Sequence, residues 1–502
     1  MSDFSRTHTL SRILASVASF SAHLTDRPLR AYQLPAAGAI LESIQHGRGD
    51  LFVVCMARQA GKNELSAQLE AYLLNRFATR GGQIVKASPT FKPQTINSIM
   101  RLQATLLNPL NHGAVRSRYG YQVELGRARA LFFSAGSRAS VVGATADLLL
   151  EADEGQDIAD WKWQRDFVPM GAASNATSVF YGTPWTRDTL LAQMRDHCLE
   201  LERKDGRRRV YLHDAEEVAA EVPAYGRYVR AQVQRLGRQH PLVRTQFFLE
   251  EIDVAGRLFP AGRQKLMRGD HGRREGPRPG GSYALLLDIS GEDEVEGDAQ
   301  VRLQLANPRR DATALTVVEV ERCGTALPRY RVVDRRLWLG TKHTALREEI
   351  LALFAHWRAS RLVLDATGVG AGLASFLARD LPGQVLAVVY TAAEKSRIGW
   401  EFLGAIETGR YKEYLPDEKS ETRQFWYEVD RCGYDVVPGP AHRLRWGVWE
   451  PPGYDGLVAA GHDDLLSSAS LCVLLDGEFP AVGQAAVVES RDPLAGIDEG
   501  RW

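Results

Sequence analysis

Short apolar runs that stop abruptly at a carboxylate or a small-residue loop recur along this chain, in two sets divided by a charged, proline- and glycine-rich stretch at 255–281. Such runs read as buried strands with functional ends, because open α/β sheets bind ligands beyond the carboxyl ends of their strands. In the first set, 51–55 leads through a small-residue loop into Leu65, Leu69, Tyr72 and Leu73 at helical spacing, and 84–87, 131–134, 148–150 and 179–181 read as further strands. This pattern predicts a parallel α/β sheet. In the second set, 283–287, 314–320 and 330–339 read as three antiparallel strands, followed by helix 344–359, strand 362–364, helix 373–381, strand 385–390 and helix 396–408. That predicts a mixed sheet with covering helices. The expected division is an N-terminal extension 1–29, a first domain 30–254, a linker 255–281, a second domain 282–475 and a loose tail 476–502.

A chain of 502 residues is long enough for two or more cores. Its 62 basic and 62 acidic side chains cancel, so any contact with nucleic acid has to be local. Cys55, Cys198, Cys323, Cys432 and Cys472 are too scattered for a zinc or redox pair, which fits a reducing compartment. No apolar run reaches the roughly 18 residues of a membrane span. Arg6, Arg12, Arg27 and Arg30 among serines read as a short amphipathic helix rather than a transit peptide.

The loop Ala57-Arg58-Gln59-Ala60-Gly61-Lys62-Asn63 lies between an expected strand and an expected helix, where backbone amides and the helix start can surround a phosphate. Lys62 would reach the β and γ phosphates, although Met56 stands for the first glycine of a phosphate loop and Asn63 for the hydroxyl that meets magnesium. Asp153 and Glu154 follow the apolar run that ends in Glu151, and suit a division of labour in which one acid assists Mg²⁺ and the other activates water. Thr183 falls on the same sheet edge. Arg58 can stabilise charge on a γ-phosphate or make a structural ion pair, and Tyr32 with Gln33 offers a face and an amide to adenine. The chemistry implied is ATP hydrolysis.

In the second set, Asp288 and Asp365 end strands, and His462-Asp463-Asp464 opens a helical stretch. If these acids converge, their repulsion is relieved by cations, and two Mg²⁺ or Mn²⁺ ions would suit phosphodiester hydrolysis. Taken one at a time, each aspartate reads equally as a cap. Glu292, Asp293, Glu294, Glu296 and Asp298 read as a solvated hairpin tip. Arg203, Lys204, Arg207, Arg208 and Arg209, with Arg443 and Arg445, are candidate contacts to a phosphate backbone, and Trp446 and Trp449 suggest a hairpin that touches DNA or anchors a small core.

The ARQAGKN loop, LLLEADE, YGTPW, LLLDIS, VLDATGVG and GHDDLL, in that order, resemble the large terminase subunit of tailed bacteriophages over most of the chain. The resemblance implies a P-loop (ASCE-type) ATPase domain followed by a ribonuclease H-like nuclease domain. It implies a motor that hydrolyses ATP to move double-stranded DNA into a procapsid and cuts concatemers with two metals. Arg58 and Lys62 would contact ATP phosphates, Asp153 would assist Mg²⁺, Glu154 would be the catalytic carboxylate and Thr183 would couple hydrolysis to DNA movement. Asp288, Asp365 and Asp463 or Asp464 would hold the nuclease metals, and Gln33 would recognise adenine. Expected partners are a portal protein and a small terminase subunit, with a ring of five copies when docked. The expected location is the host cytoplasm and transiently the portal, not the mature virion or a membrane. The rival readings are a cellular helicase or repair ATPase-nuclease, and a non-enzymatic DNA-binding assembly protein with decayed sites, favoured by Asn63.

Overall fold

A computed structural model describes residues 12–289, 312–322, 327–448 and 462–478, apart from 138, 140, 142, 254, 369, 438 and 440–442. The acidic cluster Glu292 to Asp298, Cys323 and Trp449 lie outside the described residues. The chain forms two compact units. The first takes the described residues of Met1–Pro260, Thr391–Thr408 and Arg431–Trp449, and the second takes those of Ala261–Tyr390, Gly409–Asp430 and Glu450–Trp502.

The first unit is built on an eight-stranded sheet of β1 (Leu51–Met56), β2 (Gly82–Ser88), β3 (Val115–Arg118), β4 (Gln122–Leu125), β5 (Ala128–Ser134), β6 (Leu149–Ala152), β7 (Thr177–Gly182) and β8 (Val210–His213). Its order is β3-β4-β5-β2-β6-β7-β1-β8. The run from β5 to β8 is parallel and β3-β4-β5 is an antiparallel edge. Parallel strands covered on both faces must be apolar throughout, and for that reason β1 and β7 are near-continuous buried runs. A short strand, β9 (Ala255–Arg257), and the helix Ala261–Met267 occupy part of the stretch expected to be a linker.

The helix Lys62–Phe77 follows β1 and lies on β2 and β6 through a buried polar contact. Lys86 on β2 is the cross-strand neighbour of Glu151 on β6. Its Nζ donates to Ser66 Oγ at 2.7 Å and to Glu70 Oε1 at 3.0 Å, while Ser66 Oγ lies 2.8 Å from Glu151 Oε1. Burial first, then Glu70, raises the Glu151 carboxyl well above its usual range. The acid inside the apolar run is thus buried beside an ion pair and hydrogen-bonded to Ser66.

The second unit holds β10 (Tyr283–Asp288), β11 (Thr313–Glu321), β12 (Arg329–Trp338), β13 (Arg361–Asp365), β14 (Val385–Val388) and β15 (Tyr411–Lys412), in the order β14-β13-β10-β11-β12-β15. β10, β11 and β12 are antiparallel neighbours, and β13 joins β10 in parallel. The helices His343–His356 and Gly370–Asp380 cover this mixed sheet as the sequence pattern predicts. The architecture is thus α/β in both units, one sheet mostly parallel and the other mixed.

The first unit also takes the helix Ala392–Glu407 and the hairpin of β16 (Cys432–Val437) and β17 (Arg443–Val448), which pairs through β16 with β9. Trp446 is 3% exposed and donates its indole N–H to Lys395 O at 2.9 Å, so it anchors this layer instead of offering a face to DNA. No helix of the described residues is long and apolar enough to cross a membrane.

Removing the ammonium of Lys86 leaves two buried carboxyls without a cation, a change that costs about 3–5 kcal/mol. Lys86→Met should lower the denaturation midpoint of the first unit accordingly. An unchanged midpoint would show that this charge does not hold the helix to the sheet.

Candidate active sites

The phosphate-loop residues lie at the carboxyl end of β1, as the strand-loop-helix pattern requires. Gln59 and Gly61 take positive φ of 62° and 94°, which folds the loop back on itself before Lys62 opens the helix. A side chain at Gly61 would place its Cβ 2.8 Å from Gln33 Nε2, so glycine is what lets Gln33 approach. Gln33 Nε2 donates to Gly61 O at 2.9 Å and its Oε1 accepts from Arg30 N–H at 2.8 Å. Its amide props the loop as well as lining the cleft.

A cleft of about 670 Å³ opens here, lined by Arg30, Gln33, Arg58, Lys62, Asn63, Glu154 and Thr183 among others. Lys62 Nζ stands 2.6 Å from Glu154 Oε1 and 3.7 Å from Asp153 Oδ1. Burial alone would lower the Lys62 pKa, but these two acids outweigh it and hold the ammonium above its usual value. Glu154 reaches the lysine from a left-handed backbone position, φ 52°, two residues past the end of β6. Arg58 is exposed, and among the described residues no ion pair ties it down. The Asn63 Oδ1 is buried without a hydrogen-bond partner. An amide oxygen, a hard donor of the kind Mg²⁺ takes, thus holds the sequence position of the missing hydroxyl, and the loop chemistry fits that ion.

Two residues that the motifs do not point to complete the cleft. Gln156 Nε2 donates to Glu154 Oε2 at 2.8 Å, while its Oε1 accepts from Thr183 N–H at 3.2 Å. A Cβ on Gly182 would lie 2.4 Å from that oxygen, so the contact needs a glycine on β7. Thr183 Oγ1 in turn donates to Met56 O at 3.3 Å, at the start of the phosphate loop. Asp157 also lines the cleft, and burial, with Glu154 close by, pushes its carboxyl up to about 7. Sequence could have flagged the pair only through their spacing from Glu154.

In the second unit, the β10/β13 register pairs Leu287 with Leu364, and one residue further along come Asp288 and Asp365. Asp365 Oδ1 accepts from Thr367 N–H at 2.8 Å, which fixes that carboxylate at the strand end. Burial first, then Asp288, with smaller pushes from Asp365 and Asp463, raises the Tyr390 phenol well above its usual value. All three acids therefore act on one phenol. Asp464 Oδ2 instead accepts from Ala312 N–H at 2.9 Å, beside the start of β11. Glu428, 1% exposed, also belongs to this region, with burial as the main cause and Asp464 and Asp463 as further ones that push its carboxyl up to about 8. Among the described residues no three His, Cys, Asp or Glu side chains are gathered at metal-ligand spacing. The donor chemistry of the strand-end acids still suits a hard divalent cation.

Some basic candidates have other partners. Arg209 is 4% exposed and paired with Asp205 at 2.5 Å and Asp50 at 3.3 Å, Arg207 pairs with Asp205 at 2.9 Å, and Arg445 pairs with Asp435 at 2.6 Å. Arg208 lies over the Tyr211 ring at 4.5 Å.

Residues 306–474 match the family described as "Terminase RNaseH-like domain". No curated protein matches the chain in sequence. Among solved structures, a large terminase from a thermophilic bacteriophage aligns at 10% identity over 89% of this chain and 98% of its own, with a TM-score of 0.47. The HK97 bacteriophage large terminase aligns at 12% identity over 92% and 99%, with a TM-score of 0.38. The large terminase nuclease of the thermophilic phage G20c, with bound magnesium, aligns at 15% identity over 43% and 96%, with a TM-score of 0.31.

The raised Asp157 carboxyl gives a signed expectation. The folded state binds this proton more tightly than the unfolded chain between the ordinary value of 3.8 and about 7, so stability falls as pH rises through that window. Asp157→Asn removes the slope. In nucleotide-free melts from acid to pH 8, the variant should gain on wild type as pH rises. Parallel curves would refute the shift.

Proposed function

We propose that this chain, whose residues 306–474 match a terminase ribonuclease H-like domain, is the large subunit of a phage DNA-packaging motor, an ATPase joined to a DNA endonuclease. The observation that carries the reading is that the same chain holds this match and, earlier in its sequence, a phosphate-loop cleft in which Lys62 meets Asp153 and Glu154. An assembly protein with decayed sites has no use for a buried lysine-acid cluster, and the oxygen of Asn63 answers the departure that favoured it.

ATP competes with Glu154 for Lys62. As the ammonium turns to the β and γ phosphates, Glu154 is released to orient and deprotonate the attacking water, and Arg58 approaches the charge that develops. Asp153 and Asn63 Oδ1 would hold the nucleotide's Mg²⁺, with Gln33 and Arg30 near the base. The rearrangement at Glu154 passes through the Gln156 amide to Thr183, the residue proposed to couple hydrolysis to DNA movement. In the nuclease unit, Asp288, Asp365 and Asp463 would hold divalent cations, which supply Lewis acidity for phosphodiester hydrolysis. Asp464, tied to Ala312, positions the strand next to them. The partners proposed are double-stranded DNA, a portal protein, a small terminase subunit and further copies of the chain in a ring of five, all acting inside the host cell.

The decisive experiment follows nicking of supercoiled plasmid with Mg²⁺ or Mn²⁺ and ATP turnover in the same samples. Asp365→Ala should lose cutting by on the order of 100-fold while keeping ATPase activity, and Lys62→Ala should do the reverse. A wild-type protein that neither cuts nor hydrolyses ATP, with DNA and portal present, would overturn the assignment. Gln156→Ala should bind a fluorescent ATP analogue within about threefold of wild type and lose most of the stimulation of ATPase activity by linear DNA. Full stimulation in that variant would remove Gln156 from the coupling route.

A further inference from the structure

The helix Asp464–Ser470 begins at an aspartate that does not cap it. Asp463 holds the N-cap position, where an aspartate ordinarily accepts a hydrogen bond from the amide two or three residues on, yet its side chain makes no capping hydrogen bond. One of those amides is bonded from another element. Leu466 N–H, at the third helical position, donates to Glu428 Oε2 at 2.9 Å, from the helix Ser420–Arg431. Glu428 is 1% exposed, and its other oxygen accepts from Gln424 Nε2 at 3.2 Å, one turn earlier. A carboxyl this deeply buried is costly unless its hydrogen bonds justify it, and here one of the two holds a helix end.

The same short helix is fastened further along. Ser468 Oγ donates to Leu286 O at 2.8 Å, on the strand that carries Asp288 two residues later. Ser468 thus fastens the helix to the strand that ends in Asp288, and Glu428 fastens the helix start to the helix Ser420–Arg431. Neither is among the acids proposed to meet metal.

We propose that Glu428 is a positioning residue for the nuclease centre: it takes over the capping hydrogen bond of the Asp464–Ser470 helix, so that the Asp463 carboxylate serves the cation and not the helix. The inference rests on the nuclease reading above and deepens it. Without Glu428 the Leu466 amide falls to the ordinary acceptor of an N-cap, here the Asp463 carboxylate, and a carboxylate drawn into its own cap is lost as a ligand. The glutamine variant keeps an acceptor oxygen for Leu466, and Gln424 can turn its own carbonyl toward the new amide.

The test uses the full chain and reads Mn²⁺ binding by isothermal titration together with the Mn²⁺ concentration that half-saturates plasmid nicking. Losing a residue that orients a ligand weakens metal affinity by about tenfold or more. Glu428→Ala should therefore raise both values by about tenfold while leaving ATPase activity unchanged, and Glu428→Gln should stay within about twofold of wild type. Thermal melts verify folding, and Glu428→Met, of similar volume with no oxygen, takes the place of the alanine variant if that one does not fold. An alanine or methionine variant with wild-type metal binding would overturn the proposal, as would a glutamine variant as defective as alanine. If wild type binds Mn²⁺ but cuts nothing, the nuclease reading fails, and the binding comparison among the variants still decides the role of Glu428.

Discussion

One ion pair beneath the phosphate-loop helix sets the geometry of the nucleotide site. Lys62, Ser66 and Glu70 recur every fourth residue on one stripe of that helix, and each meets a partner on the sheet: Lys62 with Asp153, Ser66 with Glu151, and Glu70 with Lys86. Only the outermost of these rungs borders the cleft. The inner two are closed to water, where hydrogen bonds left unmade are expensive, so a slip of the helix by one turn would break them together. The register of Lys62 against the acid pair is therefore decided several ångströms behind the place where chemistry would occur.

The second unit applies the same economy with different parts. Its acids sit at strand ends because β10 and β13 stop together, and the helix that brings Asp463 is held to that sheet by a serine on a strand carbonyl. Lys62, Asp153, Asp288 and Asp365 lie at or just beside the ends of helices and strands, and long-range contacts set those elements. That arrangement suits chemistry that depends on position more than on flexible closure.

The strands were legible because burial on both faces leaves a nearly uninterrupted apolar run, and the acids that end those runs stood out against it. Lys62, Asp153, Glu154, Asp288 and Asp365 fall where that pattern put them. Glu151 looked out of place in its run because a local reading cannot see Lys86, 65 positions earlier, as its cross-strand neighbour. Gln156 and Glu428 were invisible for a related reason: each is an ordinary polar residue in its own segment, and gains meaning from an amide 27 or 38 residues away. Charge alone likewise does not reveal that Asp50 and Asp205 already hold Arg209 at the end of the basic run.

The helix Ala392–Glu407 and the hairpin β16-β17 return the chain to the first unit after most of the second has been made. His240 Nε2 meets Trp400 O at 2.8 Å, and Gly404 leaves room for Leu236, so these late segments finish an early core. The border between the two units is thus not a point on the sequence. A genetic exchange that joined the first 260 residues of one such protein to the remainder of a distant relative would have to match two packing surfaces at once, a filter that favours inheritance of the two units as a single block.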